Sequence, residues 1–241
     1  MMIEVKYFSK TTQITYKTIN IILIALFLVL FIIDGILIGL ESVEKTQWLT
    51  IIQLCIASVL LVNNTIVFSV EAVRKVKVEK KLANFIEAKQ YNDAIEYLRN
   101  IAAINRFYNI NQMILYYLGY LELLLDNPKE ATTYLKEVNL DKQFLPNARY
   151  LAYTIYLLYL IHYINNESDE LEKIHEVYIV KKKALLKATR WGRVKSEMAY
   201  LFETIDFLNN KDMNQVAEKI VKSRLINIPM VERFIKEKKP N

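Results

Sequence analysis

Two apolar runs, Ile19–Leu40 and Trp48–Val70, stand near the start of the chain, separated only by the polar loop Glu41–Gln47. A helix crosses a bilayer with about 20 apolar residues, and each run meets that length. The first run holds 17 Ile, Leu, Val or Phe residues. At ~0.3–0.6 kcal/mol each, they outweigh the insertion cost of Asp34, at most ~3.5 kcal/mol. The run is too long for a signal-peptide core, and Gly39-Leu40-Glu41-Ser42 offers no small-x-small cleavage site. The pair therefore reads as a retained two-helix membrane hairpin.

Charge sets its orientation. Lys6, Lys10 and Lys17 precede the hairpin against the single acid Glu4, and Arg74, Lys75, Lys77, Lys80 and Lys81 follow it. The loop between the runs carries only Lys45, beside Glu41 and Glu44. The positive-inside rule then places both termini in the cytoplasm, with Tyr16 and Trp48 near the interfaces. The five basic residues at 74–81 are also suited to anionic lipid headgroups, at ~1 kcal/mol each.

Several polar or small residues interrupt the hairpin. Asp34 and Gln53 lie at similar depth near its outer end, and a hydrogen bond between them would lower the cost of burying the carboxyl. An intramembrane acid marks function by default, but near a helix end the locally satisfied reading carries more weight. Gly35 and Gly39 form a small-xxx-small pair that lets helices approach closely, either within the hairpin or between copies. Asn63, Asn64 and Thr65 make a polar notch expected to bond a neighbouring helix.

The remainder of the chain must be helical. The whole chain has only 4 Gly and 4 Pro, far below the usual ~12% combined, and no alternating stretch long enough for a sheet. The spacing predicts helices in pairs near 77–89 and 92–104, 110–126 and 128–138, 146–164 and 168–190, and 193–209 and 212–227. A short basic helix follows Pro229. The first of these continues the second membrane helix, since no Gly or Pro intervenes. Leu151–Ile164 is apolar enough to suggest a third crossing, but a helix of that length reaches only ~21 Å against a ~30 Å core.

Leu115 to Val138 reads LYYLGYLELLLDNPKEATTYLKEV. Leu118-Gly119, Ala131, Leu135 and Val138 stand at the spacing of the tetratricopeptide repeat, which this segment resembles. Leu115, Glu122 and Gln143 depart from that pattern, where it has Trp, Tyr and Pro. Tyr91 to Ile101, with Ala94 and Leu98, is similar to the second helix of such a repeat, and Gln215 to Val221 is a weaker match. The resemblance covers roughly 77–227 and implies a right-handed α-solenoid of about four helix pairs. With the hairpin read from the apolar runs, the expected fold is all-α, an N-terminal transmembrane helical hairpin followed by a TPR-like α-solenoid, divided into a cytoplasmic segment 1–18, the hairpin 19–72 and a cytoplasmic repeat domain 73–241. The resemblance also implies a groove lined by first helices. Met113, Tyr116, Tyr120 and Leu123 would line it in the matched repeat, joined by Tyr156, Tyr159 and Tyr163 from the long helix. Aromatic anchors suit peptide capture, whereas packing between repeats with hydroxyls at the rim is the plainer role for such tyrosines.

The sequence offers little chemistry. Cys55 is the only cysteine, so no intrachain disulfide forms. His162 and His175 lie at unequal depths, and Ile179 stands where a zinc-protease helix needs its second His. There is no glycine-rich phosphate loop or Gly-x-Ser-x-Gly turn. Glu122 is better read as salt-bridged than as a base. No catalytic residue, metal or cofactor is expected. The net charge of +6 is mixed with acids downstream, so no nucleic acid is expected either. The expected partners are the bilayer and a membrane-associated protein or peptide, with room for self-association through the hairpin. The expected role is a membrane-anchored cytoplasmic scaffold or adaptor at the plasma membrane, and the Lys-, Ile- and Asn-rich composition suggests an AT-rich bacterial genome. The alternative is an immunity or accessory subunit acting through the hairpin on a membrane peptide, transporter or protease.

Overall fold

The computed structural model describes residues 10–39, 43–104, 108–140, 148–188, 193–209 and 227–238. Within them the chain forms nine helices and no strand: α1 (Lys10–Gly39), α2 (Val43–Glu87), α3 (Tyr91–Ile104), α4 (Tyr108–Leu124), α5 (Pro128–Glu137), α6 (Ala148–Ile164), α7 (Ser168–Ala188), α8 (Arg193–Asn209) and α9 (Pro229–Lys238). The helix expected at 212–227 lies almost wholly outside the described residues. The helix expected at 77–89 is the end of α2, which runs unbroken for 45 residues. The chain divides into two compact units, residues 1–84 with 104–106 and residues 85–103 with 107–241.

The first unit contains α1 and most of α2. Its apolar side chains face outward, among them Ile21, Phe31, Leu54 and Leu61. Among the described residues, Trp48–Glu87 is long and apolar enough to cross a membrane, and α1 contributes the shorter apolar stretch Thr18–Ile33. Polar bonds join the two helices. Asn63 donates through Nδ2 to Asn20 Oδ1 at 2.6 Å, and Asn20 Nδ2 donates to Asn64 Oδ1 at 3.0 Å.

The second unit is a series of helical hairpins joined by one kind of turn. Lys89, Asp126 and Asn166 all adopt left-handed backbone, with φ of 56°, 64° and 57°. In each case the amide at this position bonds the carbonyl three residues back, and the next amide bonds the carbonyl five back. These are Schellman turns, normally closed by glycine. A chain with so few glycines builds them with Asp and Asn, which tolerate the left-handed region, and with Lys, which does so less well. Pro128 opens α5 in the first turn, where its missing N–H costs nothing.

Small residues bring α4 and α5 together. A Cβ on Gly119 would lie 2.6 Å from Leu135 Cγ and 3.2 Å from the Ala131 carbonyl oxygen. Leu118, Ala131, Leu135 and Val138 are buried, as are Ala94, Leu98 and Ile101 of α3. Helix α4 then packs on α6, and α6 on α7 and α8. This explains the apolar run at Leu151–Ile164. It is not a crossing but the central helix, buried from Ala148 to His162 on almost every side and touched by α4, α5, α7, α8 and α9. A helix surrounded by others is apolar all round.

Candidate functional site

The residues expected to line a groove are mostly core. Met113, Leu123, Tyr156 and Tyr159 are fully buried, and Tyr116 nearly so, while Tyr120 and Tyr163 are half-buried. The groove assignment is corrected for the first five. Their spacing puts them on shared helix faces, but those faces pack against other helices of the unit. Tyr116 has ring neighbours in Tyr117, Tyr120, Tyr150 and Tyr153 at centroid distances of 5.0–6.3 Å. This seam joins α4 to α6. At its edge the Arg149 guanidinium sits 5.7 Å from the Tyr153 ring and 3.5 Å from Glu197 of α8. Burial holds the Tyr116 hydroxyl well above the usual phenol range, so the seam stays neutral.

A second cluster surrounds Tyr178. Its hydroxyl donates to Asp206 Oδ1 at 2.6 Å and lies 3.1 Å from the Phe202 carbonyl oxygen. Lys182 bonds the other Asp206 oxygen at 2.7 Å and lies 5.2 Å from the Tyr178 ring centroid. Burial, followed by the hydrogen bond to Asp206, pushes the Tyr178 phenol up, and burial pushes Tyr159 up to about 12. His175 lies edge-on to Tyr159 at 6.0 Å. His162 belongs to the α6–α7 turn, where Nδ1 pairs with Glu167 Oε2 at 2.5 Å. The two histidines thus serve different contacts, and among the described residues no three metal-ligating side chains come together.

Glu122 is buried beside a turn as well. Asn127 Nδ2 donates to Glu122 Oε2 at 3.1 Å, and Arg99 Nη2 lies 3.8 Å from Oε1 while donating to the Tyr134 hydroxyl at 2.8 Å. A carboxylate so held positions α3 against α4 and α5. The chain matches no family model, curated protein or solved structure. Its functional reading must come from its own surfaces.

The surface that stands out lies where α9 meets the first helices of two successive hairpins, α4 and α6. Phe234 packs edge-on to Tyr163 at 5.9 Å, and Arg233 makes two bonds to the Asp126 carboxylate, at 2.6 and 2.7 Å. The Arg233 guanidinium holds the Asp126 carboxyl below the usual carboxylate range. Sequence reasoning named Tyr163 but not its partner, because a short basic helix carries no signal of where it docks.

Of the membrane-side candidates, Asn63 and Asn64 are brought together by Asn20, a residue the sequence reading passed over. Its signal was a lone amide in the first run, a side chain that needs a polar mate in lipid. The side chain of Asp34 and the surroundings of Gly35 and Gly39 lie outside the described residues, and so does the expected Asp34–Gln53 bond. Gln53 itself is buried, with no hydrogen-bond partner at Nε2 among the described residues. Of the basic residues assigned to headgroups, Arg74 is corrected. It is 5% exposed, too enclosed to meet a headgroup. Lys77 and Lys80 are exposed, and Lys75 and Lys81 half-buried.

Proposed function

We propose that this protein is a membrane-anchored adaptor whose helical hairpins hold a protein or peptide partner beside a bacterial plasma membrane. The observation that carries the reading is the inverted polarity of the first unit. Its apolar side chains face outward, and its amides Asn20, Asn63 and Asn64 bond one another between the helices. That arrangement suits lipid rather than water. Basic residues flank both outer ends, which favours a two-pass topology with cytoplasmic termini. The close approach of Gly119 to Leu135 and Ala131 supports the tetratricopeptide-like reading of the second unit. The test is alkaline extraction of membranes and in-cell cross-linking with partner identification. The reading expects a pelleted protein carrying a specific cross-linked partner. A protein released into the supernatant overturns it.

A second reading places function in the hairpin, as an immunity or accessory subunit. The Gly35–Gly39 small-residue pair and the acid Asp34 within the first apolar run favour it, because such residues in a membrane helix suit contact with another chain. Replacing 19–72 by an unrelated two-helix anchor separates the two. Activity kept after the swap supports the adaptor, and activity lost supports the hairpin.

A further inference from the structure

The second half of α7 breaks the pattern of the second unit. Ile179 and Val180 are 58% and 69% exposed, and they are the only large apolar side chains in the open among that unit's described residues. Lys183 and Lys187, also exposed, follow on the same helix face at three- and four-residue steps. Lys182 beside them is turned to Asp206 and belongs to the interior cluster. Charge is concentrated here as well. Between Glu176 and Glu197 the chain carries seven basic residues, from Lys181 to Lys195, and no acid. The whole protein has a net charge of +6, so this one stretch accounts for all of the excess. Glu172 and Glu176 stand on the same face of α7 but before the apolar pair, which leaves the positive character to its C-terminal half.

We propose that the C-terminal half of α7 is a docking surface for an anionic lipid bilayer, separate from the hairpin and from the basic residues at 74–81. Charge complementarity selects this occupant. Exposed aliphatic side chains edged by lysines suit the boundary between headgroups and acyl chains, where the stems lie in the apolar layer and the ammonium groups reach phosphate. A second copy would bring the same positive charge against it. Nucleic acid would meet the lysines through phosphate but has no use for Ile179 and Val180. So few side chains hold a membrane weakly by themselves. The proposal therefore rests on the membrane-anchored reading, in which the hairpin keeps this face near the bilayer at high effective concentration. Its consequence is orientation: the second unit turns one chosen face to lipid and leaves its other faces to the cytoplasm.

The experiment uses the full chain in nanodiscs of phosphatidylcholine, alone or mixed equally with phosphatidylglycerol, each containing a lipid that quenches fluorescence. One label is placed at Ile179→Cys in a Cys55→Ser background, and a second on the natural Cys55, which is exposed in the second apolar run. The expected result is quenching at position 179 in anionic nanodiscs and little in neutral ones, with a label at Lys129→Cys of α5 unquenched in both. High salt should release the 179 label, and Lys183→Gln with Lys187→Gln should lower the ratio of docked to free label about 30-fold. Quenching at 179 that ignores lipid charge overturns the proposal, and so does equal quenching at 129. A quenched Cys55 label beside an unquenched 179 label overturns it while the membrane-anchored reading stands. The reverse pattern supports the lipid contact and removes the membrane-anchored reading. Labels unquenched at both positions overturn both. A 179 label that responds to an RNA oligonucleotide but not to anionic lipid assigns the face to nucleic acid, and an Ile179→Cys disulfide between two chains assigns it to a second copy; each overturns the proposal.

Discussion

Gly119 stands so close to Leu135 that a Cβ on it would lie 2.6 Å from the leucine Cγ. Gly119→Ala gains ~1 kcal/mol of helix propensity but overpacks the α4–α5 contact by ~1–3 kcal/mol. The expected net effect is a loss of about 1 kcal/mol in urea unfolding. Leu135→Ala alone costs ~2–5 kcal/mol, and the double variant is less damaged than the sum, because the new methyl enters the vacated space. Strict additivity would count against the contact.

Asn63 depends on Asn20 for its partner within the first unit. Asn20→Leu leaves the Asn63 and Asn64 amides without that mate and costs ~0.6–1.7 kcal/mol. Replacing all three by Leu is expected to be milder than that single change, since none of these three positions then carries an amide without its mate. Resistance to unfolding in mixed detergent micelles ranks the variants. A triple variant weaker than the single one would contradict this.

Alkali should unfold the second unit through its tyrosines. Tyr159 is raised to about 12 and Tyr116 and Tyr178 are raised as well, chiefly by burial. The unfolded chain loses these protons near pH 10 while the folded chain keeps them. The stability they supply is therefore whole below pH 10 and falls as pH rises toward 12, by ~1.4 kcal/mol per unit for each group. Phenolate absorbance of these buried rings should appear with unfolding. Their titration at an ordinary pH in the folded protein would show that they are not enclosed.

Acid acts on different contacts. Glu170 of α7 bonds Lys136 of α5 and Lys173 of its own helix, which together hold its carboxyl at about 2. Asp126 is lowered by Arg233 in the same way. Both contributions are complete above the ordinary carboxylate range and disappear as pH falls through the lowered values. The acid limb of the stability profile should therefore fall between about pH 4.5 and 2, and Glu170→Gln should flatten it. Because these pairs are exposed, salt should flatten it as well.

The helical class and most helix positions were legible, because turn residues are scarce and caps are clear at Asn127-Pro128 and Ser168. The pairing of α4 with α5 was legible through Gly119 and Ala131. The environment of α6 was harder. An apolar helix reads alike whether lipid or other helices surround it, and what spoke against a crossing was its length and the Lys181–Lys183 run it would strand outside. The tyrosines at 116, 156 and 159 were placed on the right helix faces but on the wrong side of the boundary between surface and core. Periodicity states which residues share a face, and says nothing of what covers it. Lys89 gave no sign of its left-handed turn, since lysine has no preference for that conformation. The docking of α9 depends on a contact spanning 107 positions, beyond the reach of any local pattern.

At position 126 a glycine would suit the backbone better than aspartate does, because the residue sits at φ 64°. Glycine would also be mute there. With no side chain it would remove both hydrogen bonds that Arg233 of the terminal helix makes at that corner. The same turn recurs with Lys89 and Asn166, so one backbone shape presents a cation, an anion and an amide at three successive corners. The hairpins share a skeleton. What each corner addresses is decided by the single side chain that a glycine would have erased.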